Sequence, residues 1–228
     1  MSLAHPLDRP VWSALTSRQA TLSRGDARAL RFDPAYAQFA AAADASPESL
    51  KALAALNISP NGMGLVEAGD THLPPGARVR NQAACVQMTA SALTAGGRDI
   101  AFEALGEADA ADMLALATLT APGPFFEKTH RLGDFIGVKQ DGKLIAMAGE
   151  RMRPAGFTEV SGVCTHPDHR GHGYASALIR VVTSRILERS EQAFLHTYAA
   201  NTATIALYES LGFSVRTPIT YTVLDGPG

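Results

Sequence analysis

The stretch that most limits what this chain can become is Val163-Cys164-Thr165-His166-Pro167-Asp168-His169-Arg170-Gly171-His172-Gly173-Tyr174-Ala175. An apolar, β-rich run over 157–165 enters it and a periodic apolar run over 174–186 leaves it. It therefore reads as strand, glycine-bearing turn and helix. The first backbone N–H groups of a helix have no intrahelical partner, and the helix dipole adds positive potential there. A strand-to-helix turn is thus a ready anion site. Gly171 and Gly173 carry no Cβ, so a ligand can come close to the main chain. The turn is expected to cradle a phosphate or diphosphate. Neither G-x-x-x-x-G-K-[ST] nor a complete G-x-G-x-x-G is present, so a nucleotide-hydrolysing P-loop and a dinucleotide fingerprint are both unsupported.

Composition narrows the class. The chain has 228 residues, is 46% hydrophobic and 18% charged, and carries a formal charge of −2, which suits an ordinary globular protein with a sizeable core. No basic field favours nucleic acid, no apolar run approaches a membrane span, and the N-terminus does not read as a secretory signal. Cys85 and Cys164 lie far apart and outside any C-x-x-C context, so two buried reduced thiols in a cytoplasmic protein are expected. Cys164 lies on the key strand but has no fixed base beside it, which argues against a nucleophile.

Along the chain, residues 1–10 read as loosely packed. A short helix is expected over 11–22, a strand over 27–32, and a strand or helix over 36–42. Ser46-Pro47-Glu48 is a helix start, with a capping serine, proline at the first position and an acid in the first turn. Strands follow over 64–67 and 83–89, and the small, polar segment 91–98 reads as a linker. The domain boundary is placed there, dividing an N-terminal α/β region, 1–98, from a second domain, 99–228. The second domain reads as strand 99–104, helix 106–118, a further short helix 125–131, and a meander of strands 135–139, 144–151 and 157–165 turning at Asp141-Gly142. Helix 174–189, strand 193–198, helix 201–211 and strands 213–216 and 219–224 follow, the last two separated by Pro218. A hairpin sheet followed by crossover helices predicts an α/β fold with a mixed sheet.

Two stretches resemble a known family. Arg170-x-x-Gly173-x-Ala175 resembles the Q/R-x-x-G-x-G/A signature of the GNAT acetyltransferase superfamily, and Val163-x-Thr165-x-Pro167 resembles the strand that ends before that loop. The segment Asn201 to Phe213 resembles the family's N-x-x-A-x-x-x-Y-x-x-x-G-F, with Thr204 where alanine is usual. Both stand in the family's order. The resemblance covers about residues 99–224 and implies the GNAT fold. The region 27–90 is expected to be a degenerate half-copy of the same layout, as in glycine N-acyltransferase-like members.

The resemblance also implies an activity: transfer of an acetyl or other acyl group from acetyl-CoA to a primary amine by direct attack through a tetrahedral intermediate. The amides of Arg170, Gly171, His172, Gly173, Tyr174 and Ala175 would hold the diphosphate. Val163, Cys164 and Thr165 would bond the pantetheine arm and present an N–H to the thioester carbonyl. Asn201 caps its helix and can reach the ligand. Tyr208, two turns along the same face, would protonate the departing thiolate, which a phenol of pKa about 10 can do for a thiol near 8.5.

Glu159, eleven residues before Arg170 in an apolar strand, is the candidate general base, with its pKa expected to be raised by desolvation. The competing reading is a solvent-facing glutamate paired with Arg151 or Arg153 across the hairpin, and Glu150 is the rival base. Phe125, Phe126, Glu127 and His130 are expected on the acceptor side. His166, His169 and His172 lack metal-site spacing, so no metal is expected. Partners are expected to be a small-molecule or peptide amine, with no nucleic acid and no membrane, and a homodimer is left open. A CoA-binding sensor or scaffold without turnover is the alternative.

Overall fold

A computed structural model describes residues 5–226. In chain order the elements are α1 (Pro10–Leu15), β1 (Ser23–Gly25), β2 (Ala29–Phe32), β3 (Ala40–Ala42), α2 (Pro47–Ala55), β4 (Met63–Glu67) and β5 (Val79–Ala90). There follow β6 (Glu103–Leu105), α3 (Ala110–Thr120), β7 (Phe135–Gln140), β8 (Lys143–Glu150), β9 (Phe157–Thr165), α4 (Tyr174–Glu188), β10 (Gln192–Tyr198), α5 (Thr202–Leu211) and β11 (Ser214–Leu224). The fold is mixed α/β, as the element order predicts.

Local chemistry sets most boundaries. The Ser46 hydroxyl accepts the Ser49 N–H at 3.3 Å and Pro47 opens α2. Asn201 accepts the Thr204 N–H at 3.3 Å to start α5, and Gly212 closes it in the left-handed region at φ 108°. Asp141 and Gly142 turn the β7–β8 hairpin, both with positive φ, as a type I′ turn requires.

Four expectations change. Residues 11–22 are not one helix: α1 ends at Leu15 and a 3-10 turn covers Ala20–Leu22. The expected helix over 125–131 is only a 3-10 turn, Thr129–Arg131. Pro218 does not divide the last strand. β11 runs continuously past it, with a bulge between Val215 and Thr217, because β4 pairs with β11 only from Thr220 onward and no ladder bond is asked of Pro218 on that side. The loose N-terminus expected over 1–10 is packed where described: Leu7 is fully buried and Pro6–Asp8 form a 3-10 turn, while residues 1–4 lie outside the described residues.

The main sheet has eight strands in the order β4-β11-β5-β10-β9-β8-β7-β6. β9 and β10 are parallel, and the other neighbouring pairs are antiparallel. A separate β1-β2-β3 meander touches it through a parallel bridge between Phe39 and Gly64. Meander, helix and parallel strand thus occur twice, as β1-β2-β3-α2-β4 and as β7-β8-β9-α4-β10. The sheet crosses the boundary expected at residue 98: β5, from the first part, lies between β10 and β11 of the second. The segment 91–98 is also tied down, since Thr94 donates to the Leu211 carbonyl at 3.1 Å and accepts from Arg180 at 2.5 Å.

Alternation along the strands divides the core. Ala146, Val160 and Leu195 face α4 and α5, where Leu178, Ile179, Val182 and Leu211 cover them. The intervening Met147 meets Met113 and Leu116 of α3, and Phe194 meets Val11 and Leu15 of α1 on the opposite face. Each fully buried aliphatic side chain there contributes on the order of 1.5–3 kcal/mol. Among the described residues no helix is long and apolar enough to cross a membrane.

The position of β5 makes a direct prediction. A fragment spanning 99–228 leaves β10 and β11 without their common neighbour and exposes buried Met88 contacts. It should show no cooperative thermal transition by circular dichroism, whereas mixing with 1–98 should restore one. A native-like transition from 99–228 alone would mean that the sheet closes without β5.

Candidate active site

Parallel pairing between β9 and β10 is confined to Phe157–Glu159 against Gln192–Phe194. Beyond that the strands part, although both continue, to Thr165 and Tyr198. The edge of β9 facing β10 is therefore without a strand partner from Val160 on. A bulge adds to the divergence: Ser161 pairs with Gly149 and Cys164 with Met147, so Gly162 and Val163 together oppose one residue of β8. Gly162 has φ 63°, and a Cβ there would lie 2.8 Å from the Phe135 ring, so glycine is required on both counts.

At the open end of this wedge the chain turns through Pro167–His169 into α4. Gly173 caps α4 at φ 77°, and the first bond back to it comes from Ala177. Among the described residues, the amides from Gly171 to Ser176 have no backbone acceptor. Gly171 and Gly173 have open space where a Cβ would stand. Their role is conformation and ligand approach rather than packing. The histidines serve the loop itself: His172 Nδ1 lies 3.0 Å from the Arg170 carbonyl, and His166 and His169 meet edge-on at 5.7 Å between ring centres. Arg98, not foreseen from the sequence, donates to the His172 carbonyl at 3.0 Å.

Two cavities occupy the wedge. One, of about 380 Å³, is lined by Val163, Cys164, Thr165 and the whole run from His169 to Ser176, which includes every residue expected along the diphosphate and pantetheine path except Asn201. The other, of about 370 Å³, passes between the parted strands and includes Asn201. Tyr208, Val163, Thr120, Pro122 and Thr204 line both. Tyr208 packs against Phe213 with ring centres 5.9 Å apart, and its hydroxyl makes no hydrogen bond among the described residues. Burial pushes its phenol up to about 12. Burial likewise pushes the thiols of Cys85 and Cys164 up to about 11, which makes them poor nucleophiles.

Glu159 is where the expectation must be corrected. It is fully buried, and that burial alone would raise its pKa. Arg151 overrides it, holding the two carboxylate oxygens through Nε and Nη2 at 2.9 Å each, and His196 Nδ1 lies 2.9 Å from Oε1. The net result is a carboxyl brought down to about 2. An oxygen pair already engaged by a bidentate guanidinium, an imidazole and the Met152 N–H is a weak proton acceptor. The rival, Glu150, is also buried and is held by Arg189 at 2.6 Å.

The network continues through the sheet. Arg216 donates to Gln87 Oε1 at 2.5 Å, and Gln87 Nε2 donates to the Leu7 carbonyl at 2.8 Å. Its remaining N–H therefore points at His196 Nε2, 3.0 Å away. This assigns His196 the Nδ1–H tautomer, donating to Glu159.

The inner cavity extends to the α1 face, where Phe39, Val66, Cys85, Arg151, Ile219 and Tyr221 close it. The N-terminal region thus builds part of the site. On the helix face, Thr120 to Pro124 contribute to the wall. The acceptor-side residues expected from the sequence fall just past this stretch. Phe125 packs edge-on against Phe135 at 5.7 Å, and His130 is buried beside Glu107 at 3.0 Å. Neither these nor Phe126 and Glu127 line the cavity. Arg151, His196 and Tyr221 carried no sequence signal beyond the pairing of Arg151 with Glu159, because each acquires its place from strand neighbours distant in sequence.

Known proteins resemble this chain in sequence and fold. The FR47-like protein family model matches residues 135–222. No curated protein matches the chain. Among solved structures, a GCN5-related N-acetyltransferase from Kribbella flavida aligns over 95% of this chain and 94% of its own with 17% identity and a TM-score of 0.64, a likeness of fold. A protein from Novosphingobium aromaticivorans DSM 12444, assigned to the GNAT family of acetyltransferases, aligns over 98% of this chain and 100% of its own with 45% identity and a TM-score of 0.90. At that identity over both full lengths, this chain belongs to the GNAT family of acetyltransferases.

Proposed function

We propose that the protein transfers an acetyl group from acetyl-CoA to the nitrogen of a small-molecule or peptide amine. The observation that carries this reading is the place of Tyr208, which lines the cavity at the diphosphate-type loop and the cavity in the strand wedge alike. The fit to CoA rests on the free amides from Gly171 to Ser176 at the start of a long helix and on the unpaired edge of β9. When bound, acetyl-CoA supplies an activated thioester. The loop amides hold its diphosphate, and the β9 edge bonds the pantetheine amides and turns one N–H toward the thioester oxygen. Tyr208 donates its proton to the leaving sulfur, and its raised pKa keeps that proton in place at neutral pH.

Glu159 takes no proton in this reading. The amine gives its proton to water, and Glu159 positions Arg151 and His196 instead. That feature favours a second reading, a CoA-binding sensor without turnover. Steady release of CoA from acetyl-CoA in the presence of amines would decide for the enzyme. We further read the N-terminal region as a reduced copy of the second half, in a cytoplasmic protein.

Tyr208→Phe should lower kcat by about 10²-fold with the acetyl-CoA KM nearly unchanged; an unchanged kcat removes the phenol from the mechanism. Gly173→Glu should abolish acetyl-CoA binding in a calorimeter, since it sets a carboxylate into the anion site and a side chain onto a positive φ. The profile of kcat/KM should rise steadily with pH as the amine deprotonates, with no acid limb from Glu159, whose carboxyl is held near 2 and stays ionised. An inflection near pH 6–7 that vanishes in Glu159→Gln would restore it as a base.

Stability gives an independent readout. A depressed carboxyl contributes stability above its unfolded pKa, and that contribution is lost as pH falls toward 2. Glu159→Gln should therefore cost about 3–5 kcal/mol in denaturant melts at pH 7, by leaving Arg151 unpaired, and distinctly less at pH 3.

A further inference from the structure

We propose that the inner end of the wedge cavity recognises a carboxylate on the acceptor, so that the amine acetylated is that of a small aminocarboxylic acid, with Arg151 as the specificity-determining residue. This rests on the acetyl-transfer reading of the same cavity.

Arg151 commits Nε and Nη2 to Glu159, but Nη1 has no partner among the described residues. Its side chain is 11% exposed and lines the cavity. Phe39 lies under the guanidinium, 4.8 Å from its carbon to the ring centre, and fixes the plane in which Nη1 points. Glu159 borders the same cavity, but its side chain is 1% exposed and its oxygens are already engaged by Arg151, His196 and the Met152 N–H. His196 has both ring nitrogens occupied, by Glu159 and Gln87.

Tyr221 supplies the second donor. Its oxygen accepts from Gln38 Nε2, which leaves the O–H free to donate. Burial pushes that phenol up to about 12, so the proton stays on it. This end of the cavity therefore offers a guanidinium N–H and a phenol O–H, while the oxygens of its acid are already hydrogen-bonded. A carboxylate is the group that answers both.

The other end of the cavity is Tyr208, where the amine must meet the thioester. A space of about 370 Å³ suits a compact molecule with an amine at one end and a carboxylate at the other. In the reaction the amine nitrogen forms a bond to the acetyl carbon and the carbon–sulfur bond breaks. The amine proton leaves to water, and Tyr208 protonates the sulfur. The products are an N-acetylated aminocarboxylate and CoA.

The test uses the full-length protein. Initial rates with saturating acetyl-CoA are measured for glycine, the other α-amino acids, β-alanine and 4-aminobutyrate. The primary amide of each of these acids, ethylamine, a neutral aminoalcohol and a short peptide amide are the comparison set, with every rate referred to unprotonated amine. At least one aminocarboxylate should exceed its own amide by roughly 10–100-fold in kcat/KM, carried by KM. Tyr221→Phe should narrow that ratio by about 10-fold while leaving the acetyl-CoA KM unchanged.

Because Arg151→Met alone strands Glu159 and risks misfolding, the neutral pair Arg151→Met/Glu159→Gln is used beside it. It should bind acetyl-CoA normally and lose the preference. Equal or better use of the amides, or a preference that survives in the neutral pair, overturns the proposal while leaving acetyl transfer standing. Failure of the wild type to bind acetyl-CoA overturns both readings, and calorimetry with acetyl-CoA alone separates the two cases.

Discussion

The structure depends on two parallel strands being joined at one end and held apart at the other. β9 and β10 share a ladder only as far as Glu159 and Phe194. At that apex sits a buried ion pair, Glu159 with Arg151, braced by His196. Removing one partner of such a pair is far more damaging than its net contribution suggests, because a charge is left in a low-dielectric interior. The pair thus pins the place where pairing stops. Beyond it, the backbone groups that a continuous sheet would have consumed remain available to a ligand.

The apex is supported from a distance. His196 is held by Gln87 of β5, Gln87 by Arg216 of β11, and Arg216 by Asp8 near the N-terminus. Four segments far apart in sequence therefore agree on one tautomer and one side-chain geometry. This explains why the first part of the chain cannot be treated as an appendage. It inserts β5 between β10 and β11 and supplies Phe39, Val66 and Cys85 to the cavity wall. The cavity runs from the α5 face, where Tyr208 stands, to the α1 face, where Arg151 stands, and it can do so only because the strands between them have parted.

Much of the local architecture was legible because it is written in short-range chemistry. Ser46-Pro47, Asp141-Gly142, Gly173 and Gly212 each act within a few residues, and each appears where its cap or turn requires. The diphosphate-type loop belongs to the same class, since its free amides follow from a helix beginning after a glycine. Elements whose extent is set by partners are not legible in this way. β5 is longer than its apolar core because it is paired on both sides, and β11 runs through Pro218 because β4 has not yet begun there. Glu159 departs from its expectation for the same reason. Its apolar strand neighbours predict desolvation, but the guanidinium that reverses the shift arrives from the adjacent strand.

The amino-acid sequence alone carries the strand–turn–helix with its unpaired amides, the helix that bears Asn201 and Tyr208, and the order of elements that makes the sheet mixed. These follow from periodicity, capping and backbone freedom, which act over a few residues at a time. Long-range packing sets where β9 and β10 separate, which charge Glu159 answers to, and that residues from distant parts of the chain close the cavity. Those outcomes depend on pairing register and on the electrostatics of groups brought together across the sheet, and neither quantity is carried by any short stretch of the chain.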